Sequence, residues 1–219
     1  MAKASAAPPP RPPARLYIET PVTGDPSALA ARLDRLLGQA DIAAVLLRLA
    51  ESDERTLIKR IKALAPTVQN SGAALLIDSR PDLVIRSGAD GAHVSGAETT
   101  KTALSSLKPN YIVGVGGMAS RHDAMVAGED GADYLLFGEP GENGARPSAE
   151  AIAERIAWWA ELFSPPCVAY AGTIEEAGMF AKAGADFVLL GDALWNDPRG
   201  EEAALADAAR AIHQAQTRP

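Results

Sequence analysis

A single cysteine, Cys167, stands in 219 residues, so no intrachain disulfide can form. Nothing resembles the paired Cys and His spacings of a zinc site, and such cysteine usage suits a reducing cytoplasm. Long hydrophobic runs are missing too: no stretch approaches the roughly 18–20 apolar residues of a membrane span. The N-terminal "MAKASAAPPPRPPAR" is positively charged but has no apolar signal core, and residues 1–14 read as a disordered Pro/Ala-rich tail outside the fold. Basic charge is scarce, with 21 Lys and Arg against 28 Asp and Glu. A net charge of −7 offers no surface to a phosphate backbone, which argues against nucleic acid as a partner. Aromatic residues are few, at 5%, yet 47% of the chain is hydrophobic, enough to bury a full core. A cytoplasmic, small-molecule role follows.

Three stretches read almost alike: "SGADGAHVSG" (87–96), "DGADYLLFGE" (130–139) and "AGADFVLLGD" (183–192). Each runs Gly-Ala-Asp, then four or five mostly apolar residues, then glycine. The triplets begin at Gly88, Gly131 and Gly184, which are 43 and 53 residues apart. That is about twice one strand-plus-helix unit, so a further unit is expected inside each interval. "NYIVGVGG" (110–117) and "PCVAYAG" (166–172) supply it, and "RLYIET" (15–20), "DIAAVLLRL" (41–49) and "AALLIDS" (73–79) have the same character upstream, giving eight strands.

Helical patterns alternate with these strands. "DPSALAARLDRLLGQ" opens with Asp25 as a cap and Pro26 at the first helical position, and "TIEEAGMFAKAG" offers Thr173 and Glu176 as a capping box and Gly184 as a terminator. Other helices are expected near 52–70, 80–87, 97–107, 119–130, 147–162 and 200–216. The near-continuous apolar strands imply cover on both faces. The expected fold is therefore α/β: a single-domain (β/α)8 TIM barrel over 15–219. Its Gly-Ala-Asp triplets fall at the N-terminal ends of strands, where glycine closes a helix in a left-handed turn, alanine packs closely and aspartate bonds nearby amides.

Chemistry is expected at the opposite, C-terminal ends of the strands, where loops after strands seven and eight often bind phosphate through backbone amides. Gly172 and Thr173 stand in one such loop, and Gly191, Asp192 and Ala193 in the other. The glycines also suit plain tight turns, and a carboxylate at Asp192 would repel a dianion unless turned away. Cys167 reads as a small buried hydrophobe. Trp158 and Trp159 lie on a helix where one packs and the other is partly exposed, and with Phe163 they could form a homodimer patch.

The order "LYIET", the arginine in "VLLRL", "LLIDSRPDL", "GADGAHVSGAE", "VGVGG…GADYLLFGE" and "CVAYAGTIEEAGMFAKAGADFVLLGDALW" resembles the thiamine phosphate synthase and TenI family over residues 15 to about 196. That resemblance implies a (β/α)8 barrel. It also implies a reaction joining a pyrimidine methyl pyrophosphate to a thiazole phosphate, with Mg2+, releasing pyrophosphate. The family's Gln-x-Arg-x-Lys run on strand two falls on Leu46, Arg48 and Ala50, so only the arginine remains, as a pyrophosphate ligand or a strand-end ion pair. Its Asn-Asp-Arg falls on Asp78, Ser79 and Arg80, which leaves Asp78 to serve as a metal ligand by a slip of register. The segment 91–98 keeps His93 and places Glu98 where a second metal carboxylate is expected, although Glu98 also reads as a solvated helix-start acid. His93 is either a mouth residue or a hydrogen-bonded core histidine. The TenI histidine position falls on Ala119, and His122 would face solvent or the helix layer. A Thr-x-Thr-Lys loop after strand six is replaced by "GEPGENGARPSAE" (138–150), without lysine.

These departures favour a diverged family member that binds a thiazole-phosphate-like ligand at the mouth of strands seven and eight with its pyrophosphate and Mg2+ clamp thinned. An active synthase using Arg48 and Mg2+, or a thiazole tautomerase using His93 or Asp78, are the alternatives.

Overall fold

Apolar runs ending in glycine become strands here, and the amphipathic stretches between them become helices. A computed structural model describes residues 12–141 and 143–217 of the chain, so most of the expected tail (1–11) lies outside the described residues. The strands are β1 (Arg15–Glu19), β2 (Ile42–Leu47), β3 (Ala74–Asp78), β4 (Gly91–Ser95), β5 (Ile112–Gly116), β6 (Tyr134–Phe137), β7 (Cys167–Ala171) and β8 (Phe187–Leu190). They pair in parallel in chain order, and β8 closes onto β1. The expected eight-stranded barrel is the fold observed.

The surrounding helices are α1 (Pro26–Leu37), α2 (Glu54–Gln69), α3 (Val84–Ser87), α4 (Ala97–Leu107), α5 (Arg121–Glu129), α6 (Ala149–Leu162), α7 (Glu176–Lys182), α8 (Asp192–Trp195) and α9 (Glu201–Thr217). Asp25 caps α1 by accepting from the Ser27 amide at 2.9 Å, with Pro26 at the first helical position. The expected helix over 80–87 splits into a 3-10 turn at Pro81–Leu83 and a single α turn. The expected Thr173–Glu176 capping box does not form: α7 begins at Glu176 without a side-chain cap. Glu176 turns instead to the Gly172 amide and the Arg146 guanidinium, because a bidentate guanidinium pair outweighs one neutral capping bond.

The Gly-Ala-Asp repeats fasten the N-terminal rim. Gly88, Gly131 and Gly184 all take left-handed backbone, with φ of 80°, 101° and 100°, and Ala89, Ala132 and Ala185 are buried. The carboxylates of Asp90, Asp133 and Asp186 accept amides at the start of the preceding strands, those of Leu75, Val113 and Cys167, at 2.7, 2.8 and 2.8 Å. Their own amides return bonds to the carbonyls of those same residues. Each bond to a carboxylate contributes about 1.5–3 kcal/mol because the acceptor is charged.

Alternation along the strands divides the core in two. Leu16, Ile18, Val45, Ala92, Val94 and Leu190 pack outward under the helices. Tyr17, Leu46, Leu76, Tyr134, Leu136 and Leu189 fill the barrel. Cys167 is buried on the outward side of β7. Trp159 is buried, stacks on Phe163 at 4.2 Å and donates its indole N–H to the Pro165 carbonyl, while partly exposed Trp158 carries the Arg121 guanidinium on its ring. Much of that aromatic group is thus spent inside the subunit.

Candidate functional site

At the C-terminal ends of the strands the inward positions turn polar. Tyr17 and Glu19 share the inner face of β1, so Glu19 stands directly above the apolar filling. Its carboxylate lies 3.3 Å from Nη1 of Arg48, which projects from the end of β2. Burial nevertheless lifts the Glu19 pKa from 4.5 to about 7: desolvation is the largest cause, Asp78 and Asp192 push the same way, and Arg48 and His93 oppose it only in part. Gly191 at the end of β8 makes room for this carboxylate, since a Cβ there would sit 2.6 Å from Glu19 Oε2 and 3.0 Å from the Tyr170 hydroxyl. Burial and the Glu19 charge push Tyr170 itself up to about 12.

His93 faces the barrel interior and is 3% exposed. Its Nε2 is 3.2 Å from Glu139 Oε1 and its Nδ1 is 3.1 Å from the Tyr134 hydroxyl, which is 2.9 Å from the Tyr17 hydroxyl. Burial raises both tyrosines well above their ordinary pKa, so each hydroxyl keeps its proton. One direction of donation satisfies the whole chain: Nε2–H donates to Glu139, the Tyr134 hydroxyl to Nδ1, and the Tyr17 hydroxyl to the Tyr134 oxygen. Tyr134 needs Gly114 and Glu139 needs Gly116, because a Cβ at either glycine would collide with them. Glu139 Oε2 also accepts from the Gly117 amide at 2.8 Å. A cavity of about 450 Å3 opens beside this carboxylate, with Arg155 on its wall.

The loop between β6 and α6 carries a second guanidinium to the mouth. Arg146 binds Glu176 through Nη1 (3.1 Å) and Nη2 (2.9 Å), and donates to the carbonyls of Tyr170 and Gly138. It lies over Gly172, where a Cβ would strike it. The Gly172 amide donates to Glu176 Oε2 at 2.7 Å. The expected anion position at the end of β7 therefore holds a side-chain carboxylate in this state. Thr173 is exposed beside it, Asp192 is exposed at the start of α8, and Ala193 is partly buried.

The metal-ligand candidates stand at adjacent strand ends. Asp78, partly buried, accepts from the Ser79 hydroxyl at 3.1 Å, and Glu98 is exposed in the first turn of α4. Ser79, where the family resemblance places a metal aspartate, takes left-handed backbone at φ 57°, a strained conformation for a residue with a Cβ. Among the described residues no group of three or more His, Cys, Asp or Glu converges to hold a metal. Asp78 and Glu98 are both oxygen donors of the kind Mg2+ takes, commonly one or two from protein with phosphate oxygens and water completing the shell. His122, exposed at the start of α5, lines a separate cavity of about 400 Å3 between α4 and α5. Glu19, Glu139, Tyr134 and Arg146 are site residues that the sequence motifs do not point to; alternation along β1 from Tyr17 is the one signal that could have found Glu19.

Comparison with known proteins places this geometry. The profile of the family described as thiamine monophosphate synthase matches residues 16–194. The chain belongs to that family. A protein from Rhodospirillum centenum named thiamine-phosphate synthase is 42% identical over 196 residues, spanning 88% of this chain and 95% of that protein. One of the same name from Hyphomonas neptunium is 36% identical, spanning 90% and 92%. Among solved structures, the thiamine phosphate pyrophosphorylase from Pyrococcus furiosus superposes with a TM-score of 0.74 at 21% identity, covering 92% of this chain and 96% of that one. The 3-hexulose-6-phosphate synthase from Salmonella typhimurium gives 0.70 at 15%, covering 92% and 99%. These structural likenesses establish the barrel fold. No helix among the described residues is long and apolar enough to cross a membrane.

Proposed function

We propose that the chain is a working thiamine phosphate synthase, joining a pyrimidine methyl pyrophosphate to a thiazole phosphate. The observation that carries this reading is the 42% identity spanning 95% of a protein of that name. It is better supported than the diverged binder expected from the thinned clamp on β2.

In this reading the C–O bond of the pyrimidine pyrophosphate breaks with its electron pair leaving on pyrophosphate. The thiazole nitrogen then forms the new bond to the pyrimidine methylene carbon. Arg48 binds the departing pyrophosphate, exchanging its contact with Glu19 for one with phosphate oxygens. Asp78 and Glu98 would hold a Mg2+ ion, which supplies charge neutralisation to the leaving group. The thiazole phosphate rests on the backbone of Gly172–Thr173 and Gly191–Asp192–Ala193, with Arg146 above it. Glu176 must release both Arg146 and the Gly172 amide for that phosphate to enter. His93, held by Glu139 and Tyr134, forms the buried wall beneath the substrates. The reaction is cytoplasmic, and its partners are small phosphorylated substrates.

The test is to incubate the purified chain with both substrates and Mg2+ and to measure thiamine phosphate and pyrophosphate. Product in stoichiometric amounts is expected, with loss of turnover in Arg48→Met. Binding of thiazole phosphate without product would refute the synthase and restore the binder reading.

A further inference from the structure

We infer that Arg60, on α2, is a pyrophosphate-binding residue of the mouth that acts together with Arg48, on the segment just after β2. The inference rests on the proposed synthase reading for its substrate, but its physical basis is independent of it. Arg60 lies in the second turn of α2 and is partly buried. Its Nη1 donates to the Ala50 carbonyl at 3.1 Å, and its Nη2 is 3.9 Å from the point where a Gly24 side chain would begin. The guanidinium therefore sits in the crevice between the loop after β1 and the loop after β2. Those loops are tied together by the Thr23 amide donating to the Arg48 carbonyl (3.1 Å) and the Ala50 amide donating to the Thr23 carbonyl (2.9 Å).

Arg60 carries a charge that no carboxylate answers among the described residues. Arg48, Arg80 and Arg146 each face a carboxylate, whereas Arg155, on the far side by Glu139, donates only to the Met118 carbonyl. No ion pair of Arg60 exists among the described residues, and of its five N–H donors only one is spent, on a neutral carbonyl. Partial burial of an uncompensated cation is costly, and an anionic ligand with several oxygens would relieve it. The segment that follows β2 and carries Arg48 runs on to Ala50, whose side chain is a methyl group and contributes no charge. Arg60 brings a guanidinium to that same residue from the helix side, and Gly24 leaves the approach open. A diphosphate, with oxygens on two linked phosphorus atoms, offers acceptors for more than one guanidinium group.

Calorimetric titration of the full chain with inorganic pyrophosphate plus Mg2+, and separately with thiazole phosphate, tests this in the wild type, Arg60→Met and Arg60→Lys. Loss of a charge-assisted contact should weaken pyrophosphate binding about 10- to 100-fold in Arg60→Met, with thiazole phosphate affinity unchanged. Arg60→Lys should recover part of the loss, and it serves as the working variant if Arg60→Met does not fold. Unchanged pyrophosphate affinity would overturn the inference. So would equal weakening of both ligands with a lowered Tm, or a wild type that does not bind pyrophosphate. If pyrophosphate binds in an Arg60-dependent way but no thiamine phosphate forms, the inference stands and the synthase reading fails. If product forms and Arg60→Met binds pyrophosphate like the wild type, the reverse holds.

Discussion

Replacing Glu19 by glutamine should remove a pH dependence of stability built into the barrel mouth. The Glu19 side chain is only 16% exposed, and burial outweighs Arg48 to raise its pKa from 4.5 to about 7. The folded chain thus holds this proton more tightly than the unfolded chain. Its stabilising contribution is complete below pH 4.5 and is lost as pH rises through about 7. At about 1.4 kcal/mol per pKa unit, the loss amounts to about 3 kcal/mol. Glutamine, neutral at every pH and similar in shape, abolishes this decline. Above pH 7 the variant should be the more stable protein by up to about 3 kcal/mol. Urea unfolding of both proteins at pH 5, 6, 7 and 8 measures the difference, which cancels other titrating groups. A difference constant with pH, or a variant less stable than the wild type at pH 8, would refute the reasoning.

Other substitutions separate the two ends of the barrel. Glu176→Ala frees Arg146 and the Gly172 amide, so thiazole phosphate should bind about tenfold more tightly, as expected when a competing internal anion is removed; weaker binding by calorimetry would show that Glu176 assists the ligand. Gly114→Ala drives a methyl group into the buried Tyr134 ring, an overpacking that should cost about 3 kcal/mol in denaturant unfolding, and a cost below about 1 kcal/mol would mean that the ring can move aside. Asp133→Ala deprives the Val113 amide and Lys108 of their acceptor. It should lower stability by about 1–3 kcal/mol with kcat unchanged, and a fall in kcat at full folding would contradict the division between faces.

The strands were legible because burial on both faces leaves long apolar runs, and from β4 to β8 glycine marks where the strand meets the mouth. The repeats were legible because Gly88, Gly131 and Gly184 obey a local backbone requirement. The four residues of α8 are too few to show a period. The Thr173–Glu176 box satisfied its local rule and still failed, because Arg146, distant in sequence, captured Glu176. Most of the site was hidden for the same reason. The direction of His93 stayed open until the outward packing of Ala92 and Val94 placed it inside, and Glu139 becomes meaningful only when β4 and the end of β6 are brought together. Loop residues such as Arg146 carry no periodic signal, whereas Tyr17 and Glu19 shared one alternation that could be read.

The rim aspartates also impose a grain on the molecule. Asp90 fastens β4 to β3, Asp133 fastens β6 to β5, and Asp186 fastens β8 to β7, while Asp41 before β2 reaches the Arg15 side chain on β1 instead. The barrel is thereby assembled from two-strand modules, each latched at the end remote from the ligands. Cutting the chain between modules and rejoining its natural ends should leave every latch intact, whereas a cut inside a module separates an aspartate from its amide. The open rim can then exchange loops, and with them substrates, over a base that keeps its own register.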